Sequence, residues 1–312
     1  TIGILLLIIG VAELIPALLD YNDGHSNAYD FLGCSVVSIF FGGALILANH
    51  QRDYNLNLRE TFLLTTLSWV SLSLFAALPL YFSDLDFSYT DAVFEAVSGI
   101  TTTGSTVLTG LDEMSHGILL WRSLMQWIGG IGIIAFAIVI LPFLRIGGMQ
   151  LFKTESSDRS DKTMPRMMDL VSSLLMIYFA ISFLCILTYV FLGMDLFNAI
   201  NHGFTTVSTG GYSTHDTSFG FYDKPSLHYA ASFFMVLGSV PFILYVKWVS
   251  QGKFHFFKDE QCRTYLKLLC VLISFLTIWL WYNSSFNFTE SFQHSVFNIV
   301  SIITTTGYAT DD

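Results

Sequence analysis

Charge is scarce in this chain. Only 12% of its 312 residues are Asp, Glu, Lys or Arg, against about 25% in a soluble domain, so a largely water-facing surface is excluded. Proline is sparse, at 6 residues, which leaves long stretches free to run as helix. The 4 cysteines, Cys34, Cys185, Cys262 and Cys270, show no metal-ligand spacing. They read as small buried residues, not a disulfide frame. No HExxH, no GxSxG and no paired catalytic carboxylates occur, so a polytopic membrane enzyme is kept only as an alternative.

What is abundant is apolar. Hydrophobic residues make up 53% of the chain, with 29 Phe, and they gather into runs close to the ~20 residues that cross a bilayer core. Spans are expected over 2–19, 31–48, 62–82, 118–144, 169–192, 229–249 and 265–282, with Pro241 as a kink in the sixth. The first run opens near Thr1 without a basic leader or cleavage site, and is read as a spanning helix, not a signal peptide.

Three segments break this pattern: 91–100, 197–206 and 291–302. Each is helix-compatible, too short to span, and leads into a hydroxyl-rich run. Such half-length helices are tolerated at membrane depth only inside protein or beside water, so each is read as a re-entrant pore helix. Aligned without gaps on Thr-Gly, the segments are DAVFEAVSGITTTG (91–104), FNAINHGFTTVSTG (197–210) and HSVFNIVSIITTTG (294–307). The alignment matches Glu95 with Asn201 and Asn298, and Gly104 with Gly210 and Gly307. The expected fold is therefore an all-α polytopic membrane protein. Two N-terminal helices precede helix–pore-loop–helix repeats, a signature more specific than any one motif. The boundaries are 1–61 for the N-terminal helices and cytoplasmic loop, 62–166 and 167–264 for two repeats, and 265–312 for an incomplete third.

The residue types point to a monovalent cation. A dehydrated ion needs oxygens in place of its water, and carbonyls and hydroxyls supply them without fixed negative charge. Glycine allows backbone conformations barred to other residues. The candidate ion-binding residues are Thr102, Thr103, Gly104, Ser208, Thr209, Gly210, Thr305, Thr306 and Gly307, with Glu95, Asn201 and Asn298 as filter support. Glu95 reads equally as a solvated vestibule acid. Arg122 is favoured as a structural ion-pair partner of an external acid over a substrate-binding group. Glu13, an acid within a span, is functional by default or simply reaches the interface. His202 and His294 read as packing residues, not metal ligands. The triplets at Asn283 and Asn287 fit a glycosylation pattern but are discounted as chance. With the N-terminus inside, only Arg122 and Lys224 of the 14 basic residues fall outside, as the positive-inside rule requires. The three runs then enter from an acidic external face.

The repeats, the run QWIGGIGI (126–133) and the stretch ILPFLRIGGMQLFKTESSD (140–158) resemble the membrane subunit of Trk-type potassium uptake systems, of the Trk/Ktr/HKT superfamily. The resemblance covers essentially the whole chain. It implies four repeats around a potassium path, one filter glycine from each, and a bacterial inner-membrane location. It also implies a homodimer among membrane lipid, no nucleic-acid partner and a cytosolic nucleotide-binding regulatory subunit of the TrkA type. No covalent cofactor is implied; K+ is substrate, held at Thr102, Thr103, Ser208, Thr209, Thr305 and Thr306. Against that pattern the sequence stops within the third repeat. It is expected to be an N-terminal fragment, with a non-conducting truncated scaffold as a further alternative.

Overall fold

The computed structural model describes residues 1–49, 58–144, 163–251 and 256–310. Arg52, Lys253, Asp311, Asp312 and the basic loop from Arg145 to Lys162, with most of the 140–158 stretch, lie outside them. The described residues are helical with no strand, as the apolar runs predict. Among the described residues five helices are long and apolar enough to cross a membrane, or six if a bent pair counts as one span. The protein is thus a multi-pass membrane protein. The predicted span 118–144 falls in a helix, His116–Leu144, whose side chains are described only to residue 133.

The chain forms two compact units. The first holds Thr1–Gly130 together with Tyr212–Asp216. Its helices α1 (Ile2–Asp23) and α2 (Asn27–Ala48) form a hairpin. Gly24, at φ 75°, ends α1, and its N–H returns to the last-turn carbonyls of Asp20 and Tyr21. That left-handed step costs glycine little. The hairpin is close because its seam is made of small residues. A Cβ on Gly3 would lie 2.7 Å from the Gly42 carbonyl oxygen, and one on Gly42 would lie 2.8 Å from that of Gly3. Ser35 Oγ donates across the seam to Gly10 O at 2.6 Å. Glu13 is fully buried in this seam, 3.4 Å from Ser38 Oγ, so it does not reach the interface.

The predicted third span is two helices, α3 (Leu58–Ala76) and α4 (Leu78–Phe82). The Ala76 carbonyl beside the break accepts the Trp121 indole N–H at 3.0 Å. Helix α5 (Tyr89–Ile100) is the first short segment. At 1.5 Å per residue its 12 residues cover well under the ~30 Å of a bilayer core. Helix α6 (His116–Leu144) passes directly against its end. A Cβ on Gly129 would stand 2.0 Å from the Ile100 carbonyl oxygen, so this glycine of the QWIGGIGI run permits that approach. At its own N-terminus, Asp20 Oδ1 accepts the Gly117 amide at 2.7 Å, a carboxylate well placed for the helix dipole.

The second unit holds Ile131–Gly211 and Thr217–Asp312. Helix α7 (Thr163–Phe191) leads through Gly193 to the short α8 (Leu196–Val207). The predicted sixth span is a broken pair, α9 (Pro225–Ser239) and α10 (Phe242–Gln251). They bend by 85° at a break where Pro241 lacks the N–H that would continue the ladder. Helix α11 (Glu260–Asn283) precedes α12 (Phe288–Ile303), the third short segment. Phe219 is fully buried in this unit, with ring centroids of Phe297 at 5.2 Å, Tyr308 at 5.1 Å and His202 at 5.4 Å.

The hairpin seam separates two adjacent glycines. Gly42→Ala is expected to destabilise the purified protein by about 1–3 kcal/mol through overpacking. Gly43, with nothing within 4 Å of an added Cβ, should accept alanine with a gain of up to ~1 kcal/mol from helix propensity. Thermal unfolding in detergent measures both.

Candidate functional site: three strained helix-to-loop turns

Each short helix is started by a side-chain cap and ended by the same turn. Ser88 Oγ accepts the Asp91 amide, Asp195 the Asn198 amide, and Asn287 the Glu290 amide within a full capping box. At the other end, Thr101, Ser208 and Thr304 donate their amides to Val97, Phe204 and Val300 at 2.9, 3.1 and 2.9 Å. The next residues, Thr102, Thr209 and Thr305, have φ of 55°, 53° and 62°. A β-branched residue there is a genuine outlier, and each such residue costs on the order of 1–3 kcal/mol. Thr103, Gly210 and Thr306 then bond Ser98 O, Thr205 O and Ser301 O, each at 2.9 Å. Gly104, Gly211 and Gly307 follow with φ of 82°, 75° and 83°. Strain repeated at one register in three places makes these turns the candidate site.

This geometry corrects the gapless alignment in the second repeat by one residue. The left-handed glycine equivalent to Gly104 and Gly307 is Gly211, not Gly210. Ser208 is the helix cap, equivalent to Thr101 and Thr304. The residue seven before the strained threonine is Glu95, His202 and Asn298, so Asn201 does not share the support position. The physical reason is that the backbone turn, not the Thr-Gly string, fixes the register. Gly210 replaces the threonine whose hydroxyl pairs within the loop in the other repeats. Thr101 with Thr103 and Thr304 with Thr306 are each 2.8 Å apart. Those hydroxyls are engaged with one another within their own loops.

The support position carries three different chemistries. In the first unit Glu95 is fully buried, so it is not a solvated vestibule acid. It accepts Thr106 Oγ1 at 2.9 Å, the Val107 amide at 3.1 Å and Arg122 Nε at 2.9 Å. Arg122 is 1% exposed; its acid is this one, behind the loop. The guanidinium also donates to Ser213 O at 2.9 Å and Thr106 Oγ1 at 3.2 Å, and lies 4.2 Å from the Tyr212 ring centroid. Gln126 Oε1 accepts the Tyr212 amide at 3.0 Å. The segment Tyr212–Asp216 is held further along by two carboxylates. Asp216 accepts the amides of Gly110 at 3.0 Å and Leu111 at 3.1 Å. Asp112 is bonded to the His215 ring and accepts the Asp216 amide at 3.3 Å. The His215 bond holds the Asp112 carboxyl below the usual carboxylate range, outweighing its partial burial.

In the second unit His202 is fully buried, its Nδ1 2.9 Å from Asn198 O and its ring against Phe219 and Tyr222, each at 5.4 Å. Asn201 bonds Phe197 O at 2.8 Å within its own helix. Asn298 Nδ2 donates to His294 O and Thr310 Oγ1, both at 3.0 Å. His294 stacks on Phe286 at 4.7 Å. Sequence reasoning passed over Tyr212, Asp216 and His215, although Tyr212 and Tyr308 both follow the left-handed glycine directly. That shared Gly-Tyr step was the available signal.

The TrkH family of cation transport proteins matches residues 29–312. The chain is 42% identical over 313 residues to the Trk system potassium uptake protein TrkI of Halomonas elongata, covering 100% of this chain and 63% of that one. It is 35% identical over 317 residues to the Trk system potassium uptake protein TrkH of Escherichia coli K12, covering 99% and 65%. The crystal structure of the potassium transporter TrkH from Vibrio parahaemolyticus superposes with a TM-score of 0.90 at 32% identity, over 99% of this chain and 64% of that one. The chain thus spans somewhat less than two thirds of the length of the relatives it matches.

The Glu95–Arg122 pair gives a stability prediction. Arg122→Met strands a buried carboxylate and should cost about 3–5 kcal/mol, with Glu95→Gln in the same chain restoring part of it; thermal unfolding of single and double variants decides. The Asp112 bond gives a pH prediction. Its folded pKa is depressed, so its stabilisation is full above the ordinary value of about 3.9 and is lost as pH falls through the lower folded value. A melting series from pH 6 down should show a smaller acid-side loss for Asp112→Asn.

Proposed function

We propose that this chain, which belongs to the TrkH family of cation transport proteins, forms part of a potassium uptake subunit. Its three strained turns would pass dehydrated K+ along backbone oxygens. The observation that carries this reading is the threefold recurrence of a left-handed Thr and Gly at alternate positions. Alternation of hand turns successive carbonyls toward one side of the backbone, the condition for replacing an ion's water with carbonyl oxygens. Each turn also follows the C-terminus of a short helix, the negative end of its dipole, which favours a cation. The printed names of the relatives, potassium uptake proteins of Trk systems, support potassium as the ion. They also favour transport over an enzyme.

With the register corrected, the proposed filter residues are Thr102, Thr103 and Gly104, then Thr209, Gly210 and Gly211, then Thr305, Thr306 and Gly307. Glu95, His202 and Asn298 support them. The repeat boundaries stay at 62–166, 167–264 and 265–312 behind the N-terminal pair 1–61. The proposed setting is a bacterial inner membrane with the N-terminus cytoplasmic, as the distribution of the 14 basic residues favours. The proposed assembly is a homodimer with a TrkA-type nucleotide-binding regulatory subunit, a partner suggested by membership of a Trk system. K+ is cargo, with no covalent cofactor.

Substituting a left-handed glycine tests the filter. A side chain in that conformation costs about 1–2 kcal/mol, enough to shift selectivity on the order of tenfold if the turn relaxes. Gly104→Ser, Gly211→Ser and Gly307→Ser should each lower K+ over Na+ selectivity in a potassium-requiring host carrying the complete gene product. Gly210→Ser should be milder than Gly211→Ser, since the positive φ falls on Gly211. Equal, unchanged selectivity in all four would remove the filter assignment.

A further inference from the structure

Two tyrosines stand at one position of the turn and reach one position of another helix. Tyr212 follows Gly211, and its hydroxyl lies 3.0 Å from Glu95 O in α5. Tyr308 follows Gly307, and its hydroxyl lies 3.2 Å from His202 O in α8. Glu95 and His202 are the equivalent residues of their helices, each seven before the strained threonine. Each tyrosine therefore bonds the same carbonyl of the repeat that precedes it in sequence. Both side chains are buried, at 2% and 3% exposure. A buried phenol needs a hydrogen-bond partner, and its aryl ring moves little once packed.

The contacts go further than one carbonyl. Tyr212 Oη also lies 3.2 Å from Ser105 O, directly after Gly104. Tyr308 Oη also lies 2.5 Å from Thr205 Oγ1 and 3.2 Å from Thr206 Oγ1. Thr205 is the residue whose carbonyl accepts the Gly210 and Gly211 amides, at 2.9 and 3.3 Å. Each hydroxyl thus touches the helix end or loop that shapes the preceding turn. The rings are seated independently: Tyr212 under the Arg122 guanidinium, Tyr308 against Phe219 at 5.1 Å. Residue 105, at the same position of the first turn, is a serine, so no phenol projects from there.

We infer that Tyr212 and Tyr308 are positioning residues, each holding the pore turn of the preceding repeat in shape through its hydroxyl. The ionic consequence rests on the potassium reading above: the selectivity of the first turn depends on a residue that follows the second. The geometric consequence does not depend on any ion.

The test removes only the hydroxyls, in the complete gene product purified in detergent. Tyr212→Phe is expected to raise amide hydrogen exchange over residues 95–108 by roughly three- to tenfold, the range that losing one hydrogen bond gives. Exchange over 202–211 should not change. Tyr308→Phe should do the reverse. Reconstituted uptake should show a fall in K+ over Na+ selectivity with each variant. Exchange that is unchanged, or that rises only in the tyrosine's own turn, overturns the inference. If the wild-type protein carries no K+, the potassium reading fails while the exchange data still decide this one. Should one variant not fold, the other carries the same contrast.

Discussion

A chain that ends a helix inside a membrane must leave no amide without a partner, because no water is there to supply one. At all three turns one carbonyl at an equivalent place serves this constraint. Ser98, Thr205 and Ser301 each accept an amide from two residues past the helix cap. To reach back so far, the chain must take a left-handed step, and it takes that step at a threonine. The strain is therefore not incidental to the loop. It is the cost of keeping the backbone bonded while turning it.

The support behind the turns shows how one backbone tolerates divergent side chains. Position 95 is an acid with a buried arginine, position 202 an imidazole in an aromatic cluster, and position 298 an amide bonded to Thr310. Only the first brings charge. A lone buried carboxylate would be expensive, so Arg122 follows from Glu95, and the carbonyl of Ser213 and the ring of Tyr212 follow from Arg122. The second and third repeats, lacking the acid at this position, need no such chain of compensation.

Much of this was legible in the residues. Apolar run length gave the spans, and the brevity of three segments set the pore helices apart. Pro241 marked the break between α9 and α10, though not its 85° angle, which depends on packing. The register of the second turn was misread because Thr-Gly occurs there one residue early. Matching Asp91-Ala92-Val93 with Asn198-Ala199-Ile200 would have placed it, since the helix starts as well as ends in register. The glycines of the α1–α2 seam look alike in sequence, yet Gly42 is in contact and Gly43 is open. Only the rotational setting of the two helices separates them. Arg122 was legible as an ion-pair partner, but not its choice of acid, because Glu95 and the external carboxylates are alike until burial is known.

The membership of Tyr212–Asp216 in the first unit has a temporal side. Proteins are made from the N-terminus onward, and domains generally fold as units in that order. The first unit breaks the order. Its Arg122 guanidinium and its Gly110 and Leu111 amides receive partners from residues 213 and 216, which leave the ribosome only after α7 and α8. Until then the newly inserted hairpin and α3 to α6 are a structure awaiting its last strut. Anything that halts synthesis ahead of residue 212 leaves that unit with a buried arginine short of a ligand.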